Sequence, residues 1–219
     1  MTMAATSRSG EQAPITVLPP DFAPNAADEV NHRVANSLQL LSAMVAMEAR
    51  AIEDPAALAA LDMTRRRITA IAGVHRQLYR ARTTATVDLA AYLAALGEDL
   101  EGSVDAGREV RVEAAPFELP SADATAIGII VSELVTNACK YAYAPGEPGA
   151  VRVSLMPAPL GGYALQVEDR GRGMATGRAP QGTGLGGMLV EMMAKRLGGR
   201  CAYHDAAPGT RFVLTVARR

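Results

Sequence analysis

The stretch Ser132-Glu133-Leu134-Val135-Thr136-Asn137-Ala138-Cys139-Lys140-Tyr141 decides how the C-terminal half of this chain is interpreted. It lies in a helix predicted over Ser121–Tyr143, whose apolar residues recur at helical spacing. Glu133, Asn137 and Lys140 are four and three residues apart, so they share one helix face. A carboxylate, a carboxamide and an ammonium group in a row suit a magnesium–phosphate site. For this stretch alone, a solvated helix face is an equally good interpretation.

Two glycine-rich segments follow this helix. In Asp169-Arg170-Gly171-Arg172-Gly173 the glycines permit close backbone approach to a ligand, and a buried Asp169 could accept a hydrogen bond from the exocyclic amine of adenine. Gly182-Thr183-Gly184-Leu185-Gly186-Gly187 runs into a predicted helix, whose free N–H groups would cradle an anion. No Gly-Lys-Ser/Thr follows, so this is not a Walker motif. Each segment is weakly specific, but the three in this order predict an ATP-binding domain.

The three segments resemble the N, G1 and G2 boxes of the GHKL ATPase superfamily, which includes histidine kinases, Hsp90, type II topoisomerases and MutL. The resemblance implies ATP and Mg²⁺ as ligands, with Asn137 on the metal, Glu133 on a metal-bound water and Lys140 on phosphate. The implied nucleotide-binding residues are those of the N box (Asn137, Lys140), the G1 box (Asp169, Gly171, Gly173) and the G2 box (Gly182, Thr183, Gly184, Leu185, Gly186), together with Thr210 of a late Gly-Thr pair.

The N-terminal part predicts a helical hairpin after a flexible leader over residues 1–25. Apolar residues recur three or four apart in two stripes, which are Val30, Val34, Leu38, Leu41, Val45, Ile52 and then Leu58, Leu61, Ile68, Ile71, Val74, Leu78. Asp54-Pro55 separates them and suits a helix start, because Asp caps well and Pro is tolerated at the first position. A lone hairpin buries only one side. We expect a homodimer that forms a four-helix bundle, or else packing of the hairpin on its own chain.

The first helix of the hairpin carries Glu29-Val30-Asn31-His32-Arg33-Val34-Ala35-Asn36-Ser37-Leu38-Gln39. This segment resembles the phospho-acceptor box of the HisKA_2/HWE-type histidine kinases, and the resemblance extends over about residues 28–217. It implies that His32 accepts a phosphoryl group from ATP. Two positions depart from the family pattern: Ala35 stands where a Lys is usual, and Arg170 stands where Asn is common. Neither removes a group that the chemistry requires, although Arg170 changes the charge near the nucleotide.

The physical setting of His32 agrees with that role. His32 lies two positions beyond Val30, a residue expected in the bundle core, so its ring is expected to face solvent. A neutral imidazole that faces solvent can act as a nucleophile. Glu29, one turn earlier, is expected to orient the ring or take its proton, and Asn36 to hold a water that dephosphorylates a response regulator. His75 and His204 are interpreted as a bundle residue and a surface strand residue.

Composition limits the remaining choices. Apolar residues make up 49 % of 219 residues and Trp is absent, so the core is expected to be aliphatic. A net charge of −1 does not favour nucleic-acid binding, and two cysteines without metal-ligand spacing suit a cytoplasmic protein. We find no signal peptide and no apolar run of the ~20 residues that a membrane span needs. Helices mixed with mainly antiparallel strands predict an α+β fold, with a two-layer α/β sandwich of the GHKL type after the hairpin.

Three functions are compatible with these motifs. The first is a two-component histidine kinase that phosphorylates His32 and passes the phosphoryl group to an Asp of a response regulator receiver domain. The second is a histidine phosphotransfer protein with a vestigial ATPase domain, and the third a serine kinase of the anti-sigma type, which would lack the hairpin. The expected domains are a leader over 1–25, a hairpin over 26–82 and an ATP-binding domain over 83–219. No sensor is recognisable, so the signal is expected from a separate protein.

Overall fold

The N-terminal helices form the predicted hairpin. In a computed structural model that describes residues 26–81, 86–104, 107–158, 162–173 and 185–217, helix α1 covers Ala26–Ala49 and helix α2 covers Pro55–Ala81. Asp54 begins α2, since its Oδ1 accepts a hydrogen bond from the Ala56 N–H at 2.9 Å. Aspartate before a first-position proline therefore starts this helix as the sequence predicts.

The rest of the chain is an α+β domain in which helices cover one open sheet. Its elements, in chain order, are β1 (Thr86–Asp88), α3 (Leu89–Glu101), β2 (Arg108–Ala114), β3 (Glu118–Pro120), α4 (Ser121–Tyr141), β4 (Gly149–Pro157), β5 (Tyr163–Asp169), α5 (Leu185–Arg196), β6 (Arg200–Asp205) and β7 (Thr210–Val216). The fold class is confirmed.

The main sheet has five strands in the order β2-β4-β5-β7-β6. Strands β2 and β4 run parallel, and every other neighbouring pair is antiparallel. Helices α3, α4 and α5 contact this sheet, which makes the two-layer sandwich. β1 and β3 pair antiparallel in a separate small sheet that the sequence did not predict. The β5 register ends at Asp169, so the sheet delivers that carboxylate to the domain edge where the glycine loop begins.

The core is mainly aliphatic, as expected, but Tyr92 and Phe212 are among its largest fully buried side chains. The Tyr92 hydroxyl donates to the Ala70 carbonyl at 3.0 Å and thereby joins α3 to α2. Gly128 of α4 lies directly over this ring, because a Cβ at that position would be 1.8 Å from the Tyr92 hydroxyl. A single tyrosine therefore fixes the contact of three helices.

The second helix of the hairpin packs on the ATP-binding domain of its own chain. Val74 and Leu78 belong to the same core as the sheet, and Ala70 packs with Ile129 of α4 and Leu189 of α5. Arg76 adds an ion pair to Asp99 of α3 at 2.9 Å. Helix α2 therefore packs on its own chain, which is the alternative stated for the hairpin. Residues on both sides of the expected domain boundary at residue 82 belong to one core.

Helix α1 differs from the expected stripe. Val30 and Leu41 were expected in the core but are 58 % and 48 % exposed, whereas Asn31 and Ala35 are buried against α2. The reason is that α1 carries apolar residues on two faces, so a single stripe chosen from the sequence mixes them. The outer face of α1 exposes Leu40, Leu41, Met44 and Met47.

Among the described residues, one helix is long and apolar enough by composition to cross a membrane. This is Ser121–Tyr141, and 72 % of its most apolar window is buried inside the protein. It is the central helix of the α/β sandwich, and burial among α2, α5 and the sheet accounts for its apolar character.

Candidate functional site

His32 is exposed on α1, as predicted. The Nδ2 atom of Asn36 lies 3.4 Å from His32 Nδ1, in hydrogen-bonding range one helical turn away. Glu29 is paired instead with Arg33, whose Nη2 is 2.6 Å from its Oε1. The structure therefore places the Asn36 amide within hydrogen-bonding range of the imidazole. The assigned role of Glu29 stays a prediction.

A second histidine lies beside this position from the other helix of the hairpin. His75 Nδ1 is 3.1 Å from the Oδ1 of Asn31, the buried neighbour of His32. Burial lowers the pKa of His75, because a cationic ring loses hydration there. His75 is thus a bundle residue, as expected, and it fixes the register of α1 and α2 next to His32.

The G1 box forms a folded loop around Asp169. Asp169 Oδ1 accepts the N–H groups of Gly171 at 2.9 Å and Thr210 at 3.3 Å, which brings the late Gly-Thr pair to the G1 box as predicted. Burial raises the pKa of Asp169, although these two N–H groups act against the rise. Both of these hydrogen bonds use Oδ1 and fix the orientation of the carboxylate.

Glycine is required at two positions of this loop. A Cβ on Gly171 would lie 2.1 Å from the Ala142 carbonyl oxygen, just after the end of α4. Gly209 has a φ of +105°, and a Cβ there would lie 2.0 Å from the Asp169 carbonyl oxygen. The G1 loop and the Gly-Thr pair are therefore packed backbone to backbone at the C-terminal end of the N-box helix.

The N box joins the start of α5 to α4. A Cβ on Gly186 would lie 3.0 Å from Glu133 Oε2 and 3.7 Å from Asn137 Nδ2, so the end of the G2 box approaches both residues. Glu133 is 1 % exposed, whereas Asn137 and Lys140 are exposed. Burial raises the pKa of Glu133, and the charges of Arg66 and Arg67 partly oppose that rise. The predicted face is therefore half buried and not a simple solvated face.

Residues of α2 touch the N box, which the sequence did not predict. Lys140 Nζ donates to Asp62 Oδ2 at 2.8 Å, and Arg66 Nη2 lies 3.6 Å from Glu133 Oε2. Arg66 also donates to Asp62. The available sequence signal was the opposite charge of Asp62 and Arg66, four residues apart on α2.

Several predicted nucleotide contacts lie outside the described residues. They are Gly182, Thr183 and Gly184 of the G2 box. Leu185 is described as the first residue of α5 but not by its side chain.

The residues present fit a bound magnesium ion. Glu133 Oε1 is buried without a hydrogen-bond partner, and the exposed Asn137 lies one turn further along the same face. Among the described residues, no group of three or more His, Cys, Asp or Glu side chains could hold a metal ion by itself. An ion held by one or two protein oxygens together with nucleotide phosphates is the usual arrangement for Mg²⁺.

Two further residues support the loop and were missed by the sequence interpretation. The Tyr143 hydroxyl accepts the Arg170 N–H at 3.0 Å and donates to the Ala150 carbonyl at 2.6 Å. Arg108, buried on β2, donates to the Cys139 carbonyl at 3.2 Å near the end of α4. A buried arginine that satisfies terminal carbonyls stabilises a helix end, so both residues help to hold Asp169 and the N box in place.

A sandwich with N, G1 and Gly-Thr elements meeting around the end of one buried helix defines a GHKL-type ATPase domain, here joined to an acceptor-type hairpin. Comparisons with family models agree. Residues 29–104 match the HisKA_2 histidine kinase model, and residues 122–219 match the histidine kinase-, DNA gyrase B- and HSP90-like ATPase model. Over these two ranges the chain is similar to the HisKA_2-type histidine kinases.

Two curated relatives are similar along most of the chain. Blue-light-activated histidine kinase 2 of Erythrobacter litoralis is 27 % identical over 190 residues, which cover 83 % of this chain and 54 % of the relative. Sensor histidine kinase PdtaS of Mycolicibacterium smegmatis is 29 % identical over 198 residues, 86 % of this chain and 38 % of the relative. The chain thus spans about half or less of the length of these relatives.

Among solved structures, the blue-light activated histidine kinase EL346 of Erythrobacter litoralis superimposes with a TM-score of 0.67 at 22 % identity. The match covers 88 % of this chain and 60 % of that chain. Its isolated histidine kinase domain matches with a TM-score of 0.64, covering 87 % of this chain and 91 % of the domain. At this identity the likeness shows the fold alone, and it includes the hairpin together with the ATPase domain.

Proposed function

We propose that this protein transfers the γ-phosphoryl group of ATP to His32 and then passes it to an Asp of a response regulator receiver domain. The observation that carries the proposal is the presence, in one chain, of a folded GHKL nucleotide site and an exposed histidine on the hairpin. A phosphotransfer protein needs only the second of these. The integrity of the Asp169 loop and the N box favours an active kinase over that alternative.

The donor half has groups suited to nucleotide and metal. Asp169 is held by two backbone N–H groups and is proposed to accept a hydrogen bond from the adenine amine. Lys140 is the proposed phosphate contact. Mg²⁺ held by Asn137, with Glu133 on a metal-bound water, would neutralise charge on the transferring phosphoryl group. The protein contributes position and fixed charge, which are the main sources of catalysis in phosphoryl transfer.

The acceptor half has a nucleophile held at one nitrogen. The Asn36 amide lies next to His32 Nδ1. Attack on the γ-phosphorus uses the lone pair of the unprotonated ring nitrogen and releases ADP, so a neutral ring that attacks through Nε2 carries its proton on Nδ1. Loss of that proton accompanies formation of the N–P bond, and Glu29 remains the proposed base or orienting group. We further propose that the protein is cytoplasmic. We also propose that it is a homodimer, because the outer face of α1 exposes Leu40, Leu41, Met44 and Met47.

The donor half is tested by Asp169→Asn. Calorimetric titration with Mg·ADP is expected to give binding to the wild type and a loss of about tenfold or more in affinity for the variant, because a carboxamide presents a donor as well as an acceptor. With γ-labelled ATP, the wild type is expected to acquire acid-labile label and Asp169→Asn much less. A wild type that binds no nucleotide, while it accepts a phosphoryl group from a phosphorylated receiver domain, would support the phosphotransfer alternative.

A further inference from the structure

The charged residues of the N box are held by charged residues of α2. Lys140 pairs with Asp62 at 2.8 Å, and Glu133 pairs with Arg66 at 3.6 Å. Asp62 and Arg66 also pair with each other, one helical turn apart. The four side chains therefore form an alternating row of charges in the order Lys140, Asp62, Arg66, Glu133, in which α2 supplies the middle pair.

This row engages the groups that the proposed function needs for nucleotide. In the proposed function, Lys140 contacts a phosphate group of the nucleotide and Glu133 contacts a metal-bound water. Burial raises the pKa of Asp62, but the hydrogen bond from Lys140 and the charge of Arg66 outweigh it and lower the pKa to about 2. Asp62 is therefore a permanent anion at neutral pH, so it competes with phosphate oxygens for the same ammonium group.

The row also leaves polar atoms unsatisfied. Among the described residues, Glu133 Oε1 and the Nε of Arg66 are buried without hydrogen-bond partners, as are the neighbouring Arg67 Nε and Ser132 Oγ. A buried polar atom without a partner costs free energy, so the contact of α2 with the N box is weaker than its number of charges implies. A partner that satisfies Glu133 and Lys140 better than α2 does would displace the row.

We propose that Asp62 and Arg66 act as an intramolecular latch on the N box, which Mg–nucleotide displaces, so that α2 sets the affinity for nucleotide. The inference rests on the proposed role of the N box in binding Mg–nucleotide. Displacement concerns the ion pairs and not the whole helix, because Ala70, Val74 and Leu78 hold the later part of α2 in apolar cores. By reciprocity, bound nucleotide loosens the Asp62 end of α2 as much as the latch weakens binding.

Asp62 and Arg66 of the latch lie far from His32, so a substitution in the latch does not directly alter the surroundings of the proposed acceptor. His75, which contacts Asn31 beside His32, follows Asp62 by 13 residues on α2, a separation of about 20 Å along the helix axis. A substitution at Asp62 therefore leaves the surroundings of His32 unchanged. Asp62 is itself part-exposed, so replacement by the isosteric Asn does not disturb the core.

The first measurement is the Kd of Mg·ADP by calorimetry for the wild type, Asp62→Asn and Asp99→Asn. Asp62→Asn is expected to bind about three- to tenfold more tightly, the range for one partly exposed competing ion pair. Asp99→Asn is the matched control, because it removes the same charge from an ion pair that also ties α2 to the ATPase domain, through Arg76. Its Kd is expected to equal that of the wild type.

The second measurement separates a latch from simple repulsion between Asp62 and nucleotide phosphates. Amide hydrogen exchange of residues 58–67 in the wild type is expected to speed up on addition of Mg·ADP, whereas repulsion alone leaves it unchanged. Equal Kd values for wild type and Asp62→Asn, an equal gain in Asp99→Asn, or unchanged exchange would each overturn the latch while leaving nucleotide binding intact. Absence of Mg·ADP binding in every variant would instead overturn the proposed function, and the latch with it.

Discussion

At the scale of single residues, protonation of His75 makes the free energy of unfolding depend on pH. Burial lowers its folded-state pKa below the ordinary value near 6.5, so the unfolded chain binds a proton first as the pH falls. The contribution of the neutral His75 ring to the free energy of unfolding is complete above about pH 6.5, and it is lost as the pH falls toward the lowered pKa. We expect the free energy of unfolding, measured by urea titration, to drop between pH 7.5 and 5.5, and to drop less in His75→Gln.

His204→Gln is the control for this prediction, because His204 is exposed on β6. It should keep the pH dependence of the wild type. Glu133 and Asp169 have raised pKa values and oppose the trend, but they are present in all three proteins and cancel in the comparison. A His75→Gln protein with the same pH dependence as the wild type would contradict the assignment.

Asn36 provides a second prediction at this scale. Because its Nδ2 is 3.4 Å from His32 Nδ1, it is close enough to position a water at a phosphorylated regulator docked on His32. Asn36→Ala is expected to slow regulator dephosphorylation by about tenfold or more, the lower end of the effect of a water-positioning group, while autophosphorylation persists. The matched control is Ser37→Ala on the next exposed position, whose hydroxyl bonds the Arg33 carbonyl. Unchanged dephosphorylation in Asn36→Ala would refute this role.

Residues of the site could be predicted where their chemistry is local to a motif. Asp169 with its glycines is one such case, since the turn that brings Gly171 N–H onto the carboxylate lies within three residues. Asp62 and Arg66 could not be predicted, because their partners lie more than 60 residues away in the chain and only the packing of α2 on α4 brings them together.

At the scale of elements, the G1 loop depends on the absence of a side chain at Gly171. In Gly171→Ala the new Cβ would meet the Ala142 carbonyl oxygen, which belongs to the backbone and cannot rotate away. The loop must shift, and with it the hydrogen bond that orients Asp169. We expect the affinity for Mg·ADP, measured by calorimetry, to fall about tenfold or more. The melting temperature is expected to fall only slightly.

Gly102→Ala serves as the control for that loop prediction. Gly102 ends α3 with a φ of −65°, and a Cβ there meets nothing closer than 3.5 Å. Its affinity for Mg·ADP should match the wild type. If Gly171→Ala bound nucleotide as tightly as Gly102→Ala, the loop would not be the rigid support described.

Element boundaries followed the sequence closely where caps and alternation coincide. Ser121 begins a helix as predicted, and α2 begins at Pro55, directly after the capping Asp54. The sequence did not predict the short strands Thr86–Asp88 and Glu118–Pro120. Three residues are too few to show an alternation of apolar and polar side chains, and the two strands lie some 30 residues apart in the chain. Val30 and Leu41 of the α1 stripe are exposed on the single chain because that helix has two apolar faces, and only packing decides which one meets α2.

At the scale of the whole molecule, the outer face of α1 predicts self-association. The wild type is expected to have twice the mass of one chain by light scattering, since exposed Leu40, Leu41, Met44 and Met47 form a continuous apolar face. Met44→Glu is expected to shift the protein to a monomer. Met156→Glu is the control, because Met156 is similarly exposed but lies on β4 of the ATPase domain. A monomeric wild type at high protein concentration would contradict the dimer.

The central claim is that ATP phosphorylates His32, and the chain offers an internal comparison because it contains three histidines. The most direct measurement incubates wild type, His32→Ala, His75→Gln and His204→Ala with γ-labelled ATP and Mg²⁺, and follows acid-labile, alkali-stable label on each protein. The account predicts label on the wild type and His204→Ala, reduced or normal label on His75→Gln, and none on His32→Ala, although that variant still binds Mg·ADP. Label of wild-type intensity on His32→Ala would contradict it.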